Sequence, residues 1–452
     1  MTVKLATTIY SNIGCGLRSV VKLLGIINDT FGGILGDGLP SHTTISDWMQ
    51  KAGLATYMES GERFSDGEYC DILDESITVG KQKLLVTLGA PAMPQGHPLR
   101  HEDVEVIGMA VAPSWNGDAV EEEIKKRAAK VGHDPSYIIS DNGPNLAKGV
   151  RQTGITHHRD IGHSIGLVLE EVYKGQEDFE NFTQKMNGIR TKYHLTEMAY
   201  LLPPKQRAIA RFMNLFEWVD WAESLLQAYP SLKEEERQAF SFVPENRALV
   251  DELARIMQYV RLVEQKCKRD GISRETAKLC AWAARGLISG ECATRRTIAV
   301  GAKIGLFLLE EAEKVGKDGI AHNISSDIIE STFGWFKMRK PTNKLCGVTA
   351  SVVSIALLGK LASKDKVDKF DFKAKMEAVR LGDVKEWKSL NLLDNWVTTR
   401  KITLRKIGAV HFLRGWQGWP GLTEYLVQTI RISKKVSTFA PWMTKVCFSS
   451  IR

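Results

Sequence analysis

The region between residues 68 and 160 most constrains the fold, because strand-like and helix-like patterns alternate there in a definite order. Strand-like runs cover 69–79, 83–89, 104–112, 137–140 and 155–159. A charged helix capped by Asn116 separates the third run from the fourth, and a short helix ending near Gln152 separates the fourth from the fifth. The order β-β-β-α-β-α-β predicts an α/β domain built on a mixed five-stranded sheet.

The chain that follows this region has a different character. From residue 161 to about 313 the pattern is almost wholly helical, and no strand-like alternation interrupts it. Two more helices are predicted at 325–337 and 348–360. The predicted organisation is a helical N-terminal region over 1–65, the first part of the sheet domain over 66–160, an all-α insertion over 161–320, closing helices over 321–362, and a basic, Trp-rich region of unassigned fold over 363–452.

Composition narrows the class of protein. With 43% apolar and 25% charged residues, the 452-residue chain is ordinary for a globular protein and unlike collagen, disordered chains or disulfide scaffolds. Its longest weakly polar run, 347–359, is shorter than the ~18–20 residues that span a bilayer. The N-terminal residues lack the pattern of a signal peptide. Seven cysteines without zinc-type spacing predict free thiols in a reducing cytoplasm.

Charge is divided unevenly along the chain. Residues 331–452 contain 23 Lys and Arg against 8 Asp and Glu, whereas residues 1–330 carry a net charge of −7. The C-terminal part also holds six of the eleven tryptophans, which are Trp335, Trp387, Trp396, Trp416, Trp419 and Trp442. Basic residues interleaved with aromatic ones suit phosphate contacts and base stacking. The alternative is a solvated, Lys-rich surface over a core that contains tryptophans.

A helix that begins after Ser41 is the candidate for reading DNA. Ser41 is a good N-cap, and the apolar residues that follow give the helix one apolar face. This pattern is typical of the second helix of a helix-turn-helix motif. His42, Thr43 and Thr44 in its first turn are the candidates for contact with base edges. An ordinary amphipathic helix is the alternative.

Three acidic residues occupy positions that suit metal chemistry. Asp74 lies in the first strand, Asp141 lies at the C-terminal end of the fourth, and Glu330 lies on the helix that follows the all-α segment. Ligands bind at the carboxyl ends of strands in sheets of this kind, and carboxylate oxygens are the ligands that Mg²⁺ prefers.

Each of these positions has an alternative. Asp71 or Glu75 could supply the ligand of the first strand, although both point to the opposite face of that strand. The segment 141–143 is Asp-Asn-Gly, which is also a common turn. Asp327 shares a helical face with Glu330, so Asp327 could be the ligand or could support it.

In this context, four short segments resemble those of a known family. They are Leu73-Asp74-Glu75-Ser76, Ser140-Asp141-Asn142-Gly143, Asp160-Ile161-Gly162-His163 and Asp327-Ile328-Ile329-Glu330-Ser331. The chain resembles a DDE transposase whose RNase H-like core is interrupted by an α-helical insertion, as in hAT-type and related bacterial insertion-sequence transposases. The segment 160–163 is similar to the (Cys/Asp)-x-x-His motif that follows the fifth strand in that superfamily. The resemblance covers roughly residues 1–360.

The resemblance implies metal-dependent cleavage and strand transfer of DNA. Asp74, Asp141 and Glu330 would be the catalytic residues and would hold two Mg²⁺ ions, for which Mn²⁺ would substitute. Asp74 would bridge both ions, and the other two carboxylates would each complete one. One ion would activate a water and then a 3′-hydroxyl, while the other would stabilise the departing oxygen.

The same resemblance assigns supporting roles. Basic residues close to Glu330 would contact the DNA backbone without reading its sequence. They are Lys337, Arg339, Lys340 and Lys344. Asp160, His163 and Asp327 would be structural or would support the metal ligands. For Asp160 and His163, a hydrogen-bonded pair at the start of the insertion is the simplest interpretation.

The expected partner is double-stranded DNA, both the element ends and the target. Synapsis of two ends implies a homodimer or higher oligomer, and the expected location is the bacterial cytoplasm, on the nucleoid and away from membranes. One alternative is a catalytically inactive or domesticated transposase-derived DNA-binding protein. Another is a different RNase H-like nuclease. A helical scaffold without a nucleic-acid partner accounts poorly for the basic C-terminal part.

Overall fold

A computed structural model of the protein describes residues 1–77, 82–205, 212, 215–316, 318–339, 347–394 and 396–415. The chain divides into two compact units. The first comprises Met1–Thr342 and Val348–Leu393, and the second comprises Asn343–Gly347 and Asp394–Arg452. The sheet and the acidic residues of interest all belong to the first unit.

The first unit is built around a mixed five-stranded sheet. Its strands are β1 (Tyr69–Ile77), β2 (Lys83–Pro91), β3 (Glu105–Ala112), β4 (Tyr137–Ser140) and β5 (His157–Arg159). Their order across the sheet is β3-β2-β1-β4-β5. The first three strands pair antiparallel, and β1, β4 and β5 pair parallel. The predicted α/β class with a mixed five-stranded sheet is therefore confirmed, and β1 lies beside β4.

Helices precede the sheet and alternate with its last strands. They are α1 (Thr2–Asn12), α2 (Leu17–Thr30), α3 (His42–Met58), α4 (Gly117–Val131) and α5 (Pro144–Thr153). Asn116 caps α4 as predicted, because its side chain accepts a hydrogen bond from the Ala119 N–H at 2.8 Å.

Helices cover both faces of the sheet. The face that carries Leu73 and Ile138 packs against α4 and α5. The opposite face, with Ile72 and Ile139, packs against α15 (Asp327–Arg339), a 3₁₀-helix (Ala350–Leu357) and the end of α3. β1 is buried on both faces from Tyr69 to Leu73, whereas Asp74 and Glu75 near its C-terminal end are partly exposed.

In its described residues, the segment predicted to be all-α consists of helices joined by short connections, with one isolated bridge between Ile272 and His322. Its helices are α6 (Ile161–Tyr173), α7 (Glu177–Tyr193), α8 (Leu215–Ala228), α9 (Glu234–Phe240), α10 (Phe242–Glu245), α11 (Arg247–Asp270), α12 (Arg274–Ala283), α13 (Arg285–Ile288) and α14 (Arg295–Val315), with short 3₁₀-helices at Glu197–Leu201 and Tyr229–Ser231. They share one hydrophobic core that runs from Ile161 to Ile324. The Ile161 N–H donates to the Ile324 carbonyl at 3.0 Å, so the segment leaves and rejoins the sheet domain at the same place.

The N-terminal helices pack together and against the closing part of the first unit. Residues of α1, α2 and α3 share a core with Leu357 and Leu361. The connection between α2 and α3 runs from Phe31 to Ser41, which is longer than the three- or four-residue turn of a helix-turn-helix motif. α3 is thus a capped helix with an exposed first turn, reached by a long connection.

The closing part contains the 3₁₀-helix and three short helices, α16 (Lys364–Lys369), α17 (Phe372–Ala378) and α18 (Leu381–Asn391). The helix predicted at 348–360 is the 3₁₀-helix Ala350–Leu357. It is rich in β-branched residues, which lower α-helix propensity, and seven of its eight residues are buried. Burial rather than an amphipathic pattern therefore defines this element.

The second unit contributes one described helix, α19 (Trp396–Gly415). Trp396 is exposed, and so are the basic side chains of Arg400, Lys401, Arg405 and Lys406. Among the residues described, no helix has the length and apolar character needed to cross a membrane. The five cysteines that the structure describes are free thiols.

Candidate active site

Asp74 and Asp141 follow equivalent positions of two neighbouring parallel strands. Leu73 of β1 pairs with Ser140 of β4, so the next residue on each strand is one of the two carboxylates. Because side chains alternate along a strand, Asp74 lies on the face of Ile72, which packs against α15. The Asp74 carboxylate accepts from the Glu75 N–H at 2.7 Å.

Asp141 also forms the turn that its sequence allowed. One of its carboxylate oxygens accepts from the Gly143 N–H at 3.0 Å, and α5 begins at the next residue. The turn interpretation and the ligand interpretation are therefore compatible, since a turn bond to one oxygen leaves the other oxygen available.

Glu330 reaches the same region from α15. Its neighbours Ile329 and Phe333 are buried against the sheet face of Ile72, whereas the Glu330 side chain is half-exposed. Burial raises the pKa of the Asp74 carboxyl to about 7, and the charges of Asp141 and Glu330 act in the same direction. Burial also raises the pKa of Glu330. The charges of Asp141 and Glu330 thus act on the Asp74 carboxyl.

Asp160 fixes the geometry around Glu330. It is 1% exposed and caps α6, because one carboxylate oxygen accepts from the His163 N–H at 2.7 Å and from His163 Nδ1 at 2.9 Å. Its other oxygen accepts from the Ser326 N–H at 2.6 Å and the Ser326 hydroxyl at 2.8 Å, just before α15 begins. Although burial raises the pKa of Asp160, these hydrogen bonds hold it below its usual value.

His163 faces the carboxylates as a cation. The hydrogen bond to Asp160 raises the pKa of His163 to about 9. Its Nε2 lies 3.8 Å from a Glu330 carboxylate oxygen. The predicted hydrogen-bonded pair is present, and it does more than start the insertion, since it presents a positive charge to Glu330.

The alternative ligands of β1 lie elsewhere. Asp71 is buried on the opposite face, where the Arg127 guanidinium of α4 lies 3.5 Å away. Glu75 forms an ion pair with Lys83 of β2 at 2.8 Å. The geometry therefore favours Asp74 as the strand residue of the acidic cluster.

Asp327 is oriented toward the insertion. Its carboxylate lies 2.7 Å from Lys268 Nζ at the end of α11, and Lys268 also contacts Glu264 at 3.3 Å. Lys268 was not a sequence candidate, because no local pattern relates it to a residue on a distant helix. Ser326 was also missed, although a serine directly before a helix is a typical capping signal.

The donor set fits a divalent cation in its chemistry. Asp74, Asp141 and Glu330 offer only carboxylate oxygens, and three neighbouring carboxylates in a partly buried site repel one another unless a cation offsets their charge. As the side chains lie, no three His, Cys, Asp or Glu residues in the described ranges are close enough together to hold a metal ion. Metal binding would therefore involve rearrangement of side chains such as the half-exposed Glu330.

The candidate DNA-binding residues fall into two groups. His42 and Thr43 are exposed in the first turn of α3, and Ser41 Oγ contacts the hydroxyls of Thr43 and Thr44 at 2.7 and 2.9 Å. Lys337 is exposed on α15, with Nζ 5.7 Å from the Phe333 ring centroid. Lys340 and Lys344 lie outside the described residues.

Arg339 has a structural role that the sequence did not indicate. Its guanidinium donates to the carbonyls of Tyr10, Ser11 and Ile13 at 2.9–3.2 Å and stacks on Trp335, 4.1 Å from the ring centroid. It thereby caps the C-terminal end of α1. A contact between Arg339 and a DNA phosphate, as predicted, would have to compete with these bonds.

Comparison with protein-family models and with curated protein sequences finds no match to the chain. The family resemblance therefore rests on the four motif segments and their context.

Proposed function

We propose that the protein is a DDE-type DNA transposase with an RNase H-like core and an all-α insertion, which cleaves DNA at the ends of a mobile element and joins those ends to a target. One observation carries the proposal. Asp74 and Asp141 follow paired positions of two neighbouring parallel strands, and Glu330 lies on α15, which packs on the sheet face that carries Asp74, although the three residues are separated by 67 and 189 positions in sequence.

Mg²⁺ held by these carboxylates would activate the attacking oxygen and stabilise the leaving one. The chain's own residues contribute orientation and charge. Asp160 holds His163 and the start of α15 in one arrangement, so Glu330 is positioned from both sides. Burial of Asp74 limits access of water to the carboxylate that would be shared.

The basic part of the chain supports a DNA partner. The exposed basic residues of α19 and the exposed Lys337 suit contacts with phosphates, which position DNA without reading its sequence. The proposal includes double-stranded DNA as the partner, both at the element ends and at the target. It also includes assembly as a homodimer or higher oligomer, Mn²⁺ as a substitute metal and a nucleoid-associated location.

A cleavage assay tests the enzymatic claim. The substrate is DNA that carries the sequences flanking the gene, with Mg²⁺, with Mn²⁺ or with EDTA. We expect metal-dependent nicking at the element boundary that falls roughly 10³-fold or more in Asp141→Ala and Glu330→Ala. Asp134→Ala is the matched control, since Asp134 is an exposed aspartate and should leave the rate unchanged.

The other outcomes discriminate between the remaining functions. Binding of these DNA ends without cleavage in either metal would overturn the enzymatic claim and favour an inactive, transposase-derived DNA-binding protein. Cleavage of branched or RNA-containing substrates in preference to element ends would favour another nuclease of similar core. The absence of any DNA binding would contradict both the transposase and its inactive relative.

A further inference from the structure

A cavity of about 420 Å³ lies in the first unit, away from the acidic cluster. Its walls come from α1, α3, the end of α15, the 3₁₀-helix Ala350–Leu357 and α18. Pockets of this size commonly accommodate small organic ligands, at roughly 300–1,000 Å³. Nothing in the proposed DNA chemistry requires it.

The cavity is positively charged. Arg339, Lys385 and Lys388 line it, and no aspartate or glutamate does so among the residues described. Neither Lys385 nor Lys388 has an ion-pair partner within the described ranges, although both side chains are exposed on α18. Two lysines without an ion-pair partner favour an anionic ligand.

The 3₁₀-helix presents its N-terminal end to the same cavity. Thr349, Ala350 and Ser351 line it, and the N-cap residue Thr349 makes no side-chain cap bond to the helix. The first N–H groups of a helix are unpaired within the helix, so they form a natural site for an anion.

Ser354 provides an independent indication of a ligand. It lines the cavity but is only 3% exposed, and its hydroxyl has no hydrogen-bond partner in the part of the chain that the structure describes. The hydroxyl oxygen is not among the fully enclosed side-chain atoms that lack a partner, so water or a ligand in the cavity can reach it. A bound ligand with an acceptor oxygen would accept a hydrogen bond from it.

We infer that this cavity binds a phosphorylated organic molecule of about nucleotide size. The phosphoryl oxygens would accept from Lys385, Lys388 and the N-terminal end of the 3₁₀-helix, since a phosphate offers several acceptors to charged donors. Apolar wall residues such as Tyr10, Met49 and Val384 would cover the rest of the molecule. A phosphate of bound DNA is the other source of the same group. The inference does not depend on the carboxylates.

Calorimetry on the full chain tests this site with adenosine 5′-monophosphate, inorganic phosphate and adenosine as probes. We expect saturable binding of the monophosphate, weaker binding of inorganic phosphate, and binding of adenosine weakened at least about tenfold because it lacks the charged acceptor. In the Lys385→Gln/Lys388→Gln variant, monophosphate binding should weaken at least about tenfold. Ser354→Ala, which removes only the buried hydroxyl, should also weaken it.

A charge-matched control is the Lys364→Gln/Lys373→Gln variant, whose lysines do not line the cavity, so its affinity should equal that of the unchanged protein. If duplex DNA displaces the monophosphate, the phosphoryl group comes from DNA; if both bind together, the ligand is a free small molecule. The inference is overturned if neither phosphate probe binds at millimolar concentration, or if the cavity and control variants lose affinity equally. Both results are independent of cleavage activity.

Discussion

Gly53 lies where α3 comes closest to the 3₁₀-helix Ala350–Leu357. A Cβ atom at this position would lie 2.6 Å from the Val353 carbonyl oxygen and 2.8 Å from its carbon, both of which are backbone atoms. Alanine has a higher helix propensity than glycine by about 1 kcal/mol, but overpacking costs about 1–3 kcal/mol. We expect the clash to dominate, so Gly53→Ala should lower the free energy of unfolding by roughly 1–2 kcal/mol in urea titrations.

Gly188 is the matched control for this prediction. It lies within α7, is exposed, and has no atom within 4 Å of an added Cβ. Gly188→Ala should therefore raise the free energy of unfolding by up to about 1 kcal/mol. If both variants change stability in the same direction, close packing at Gly53 is not what requires glycine there.

At the residue scale, the sequence suggested the three carboxylates and the pair of Asp160 and His163, but not the distant residues that Asp160 and Asp327 contact. Asp74, Asp141 and Glu330 could be selected because each follows or occupies a recognisable element. The bond from Asp160 to Ser326 joins residues 166 positions apart, and no local pattern encodes it. Arg339 shows the same limit, since a basic residue beside the site predicted phosphate contact while the tertiary fold directs it to the end of α1.

At the scale of elements, β5 and α14 are joined by a buried ionic network. Glu311 of α14 is fully buried and accepts from His158 Nδ1 at 3.0 Å, from Arg159 Nε at 2.5 Å and from Lys314 Nζ at 2.8 Å. His158 Nε2 also contacts His322 Nδ1 at 2.9 Å. Although burial raises the pKa of Glu311, its hydrogen bonds lower it to about 2. Burial lowers the pKa of His322 to about 4.

These shifts predict loss of stability on acidification. For both groups the folded pKa is below the unfolded one, so the unfolded state takes up protons first and stability falls as pH falls. The contribution of His322 to stability is lost as pH falls from about 6.5 to 4, and that of Glu311 as pH falls from about 4.5 to 2. Glu311→Gln should lower the free energy of unfolding at pH 7 by about 3 kcal/mol and flatten the lower part of this profile.

Glu310→Gln serves as the control in the same pH series. Its side chain is half-exposed and pairs with Arg159 at 2.7 Å, so its removal should change stability by less than about 1 kcal/mol. An acid profile of Glu311→Gln that matches that of the unchanged protein would mean that the network does not couple β5 to α14.

Elements with a strong local pattern were predictable, and elements defined by packing were not. The five strands and the capped helix after Asn116 lie close to the predicted positions. Hydrophobic periodicity and helix capping depend on residues near one another in sequence, so they can be recognised without the tertiary fold. The sequence predicts the 3₁₀-helix Ala350–Leu357 as part of a longer helix. A segment that is buried on nearly every side has no hydrophobic periodicity to indicate its type or its ends. The α2–α3 connection likewise depends on packing against the closing part of the unit.

At the scale of the whole molecule, the positive charge is concentrated at one end of the sequence. Residues 394–452 contain ten Lys and Arg against two Asp and Glu, so this part has a net charge of +8. The whole chain has the same net charge of +8. Residues 1–393 therefore have no net charge. Affinity for DNA that depends on phosphate contacts should accordingly come mainly from 394–452, where the basic residues at 400, 401, 405 and 406 of α19 are exposed.

Salt dependence of DNA binding measures this contribution directly. Each phosphate contact adds about −0.9 to the slope of log K against log salt concentration. Changing Arg400, Lys401, Arg405 and Lys406 of α19 to glutamine should make the slope less steep by up to about 4 if all four contact phosphates. The control variant also carries four glutamines, at lysines of the first unit that pair with carboxylates. These are Lys125, Lys126, Lys148 and Lys174. An equal change in slope for both variants would mean that net charge, and not the position of α19, governs binding.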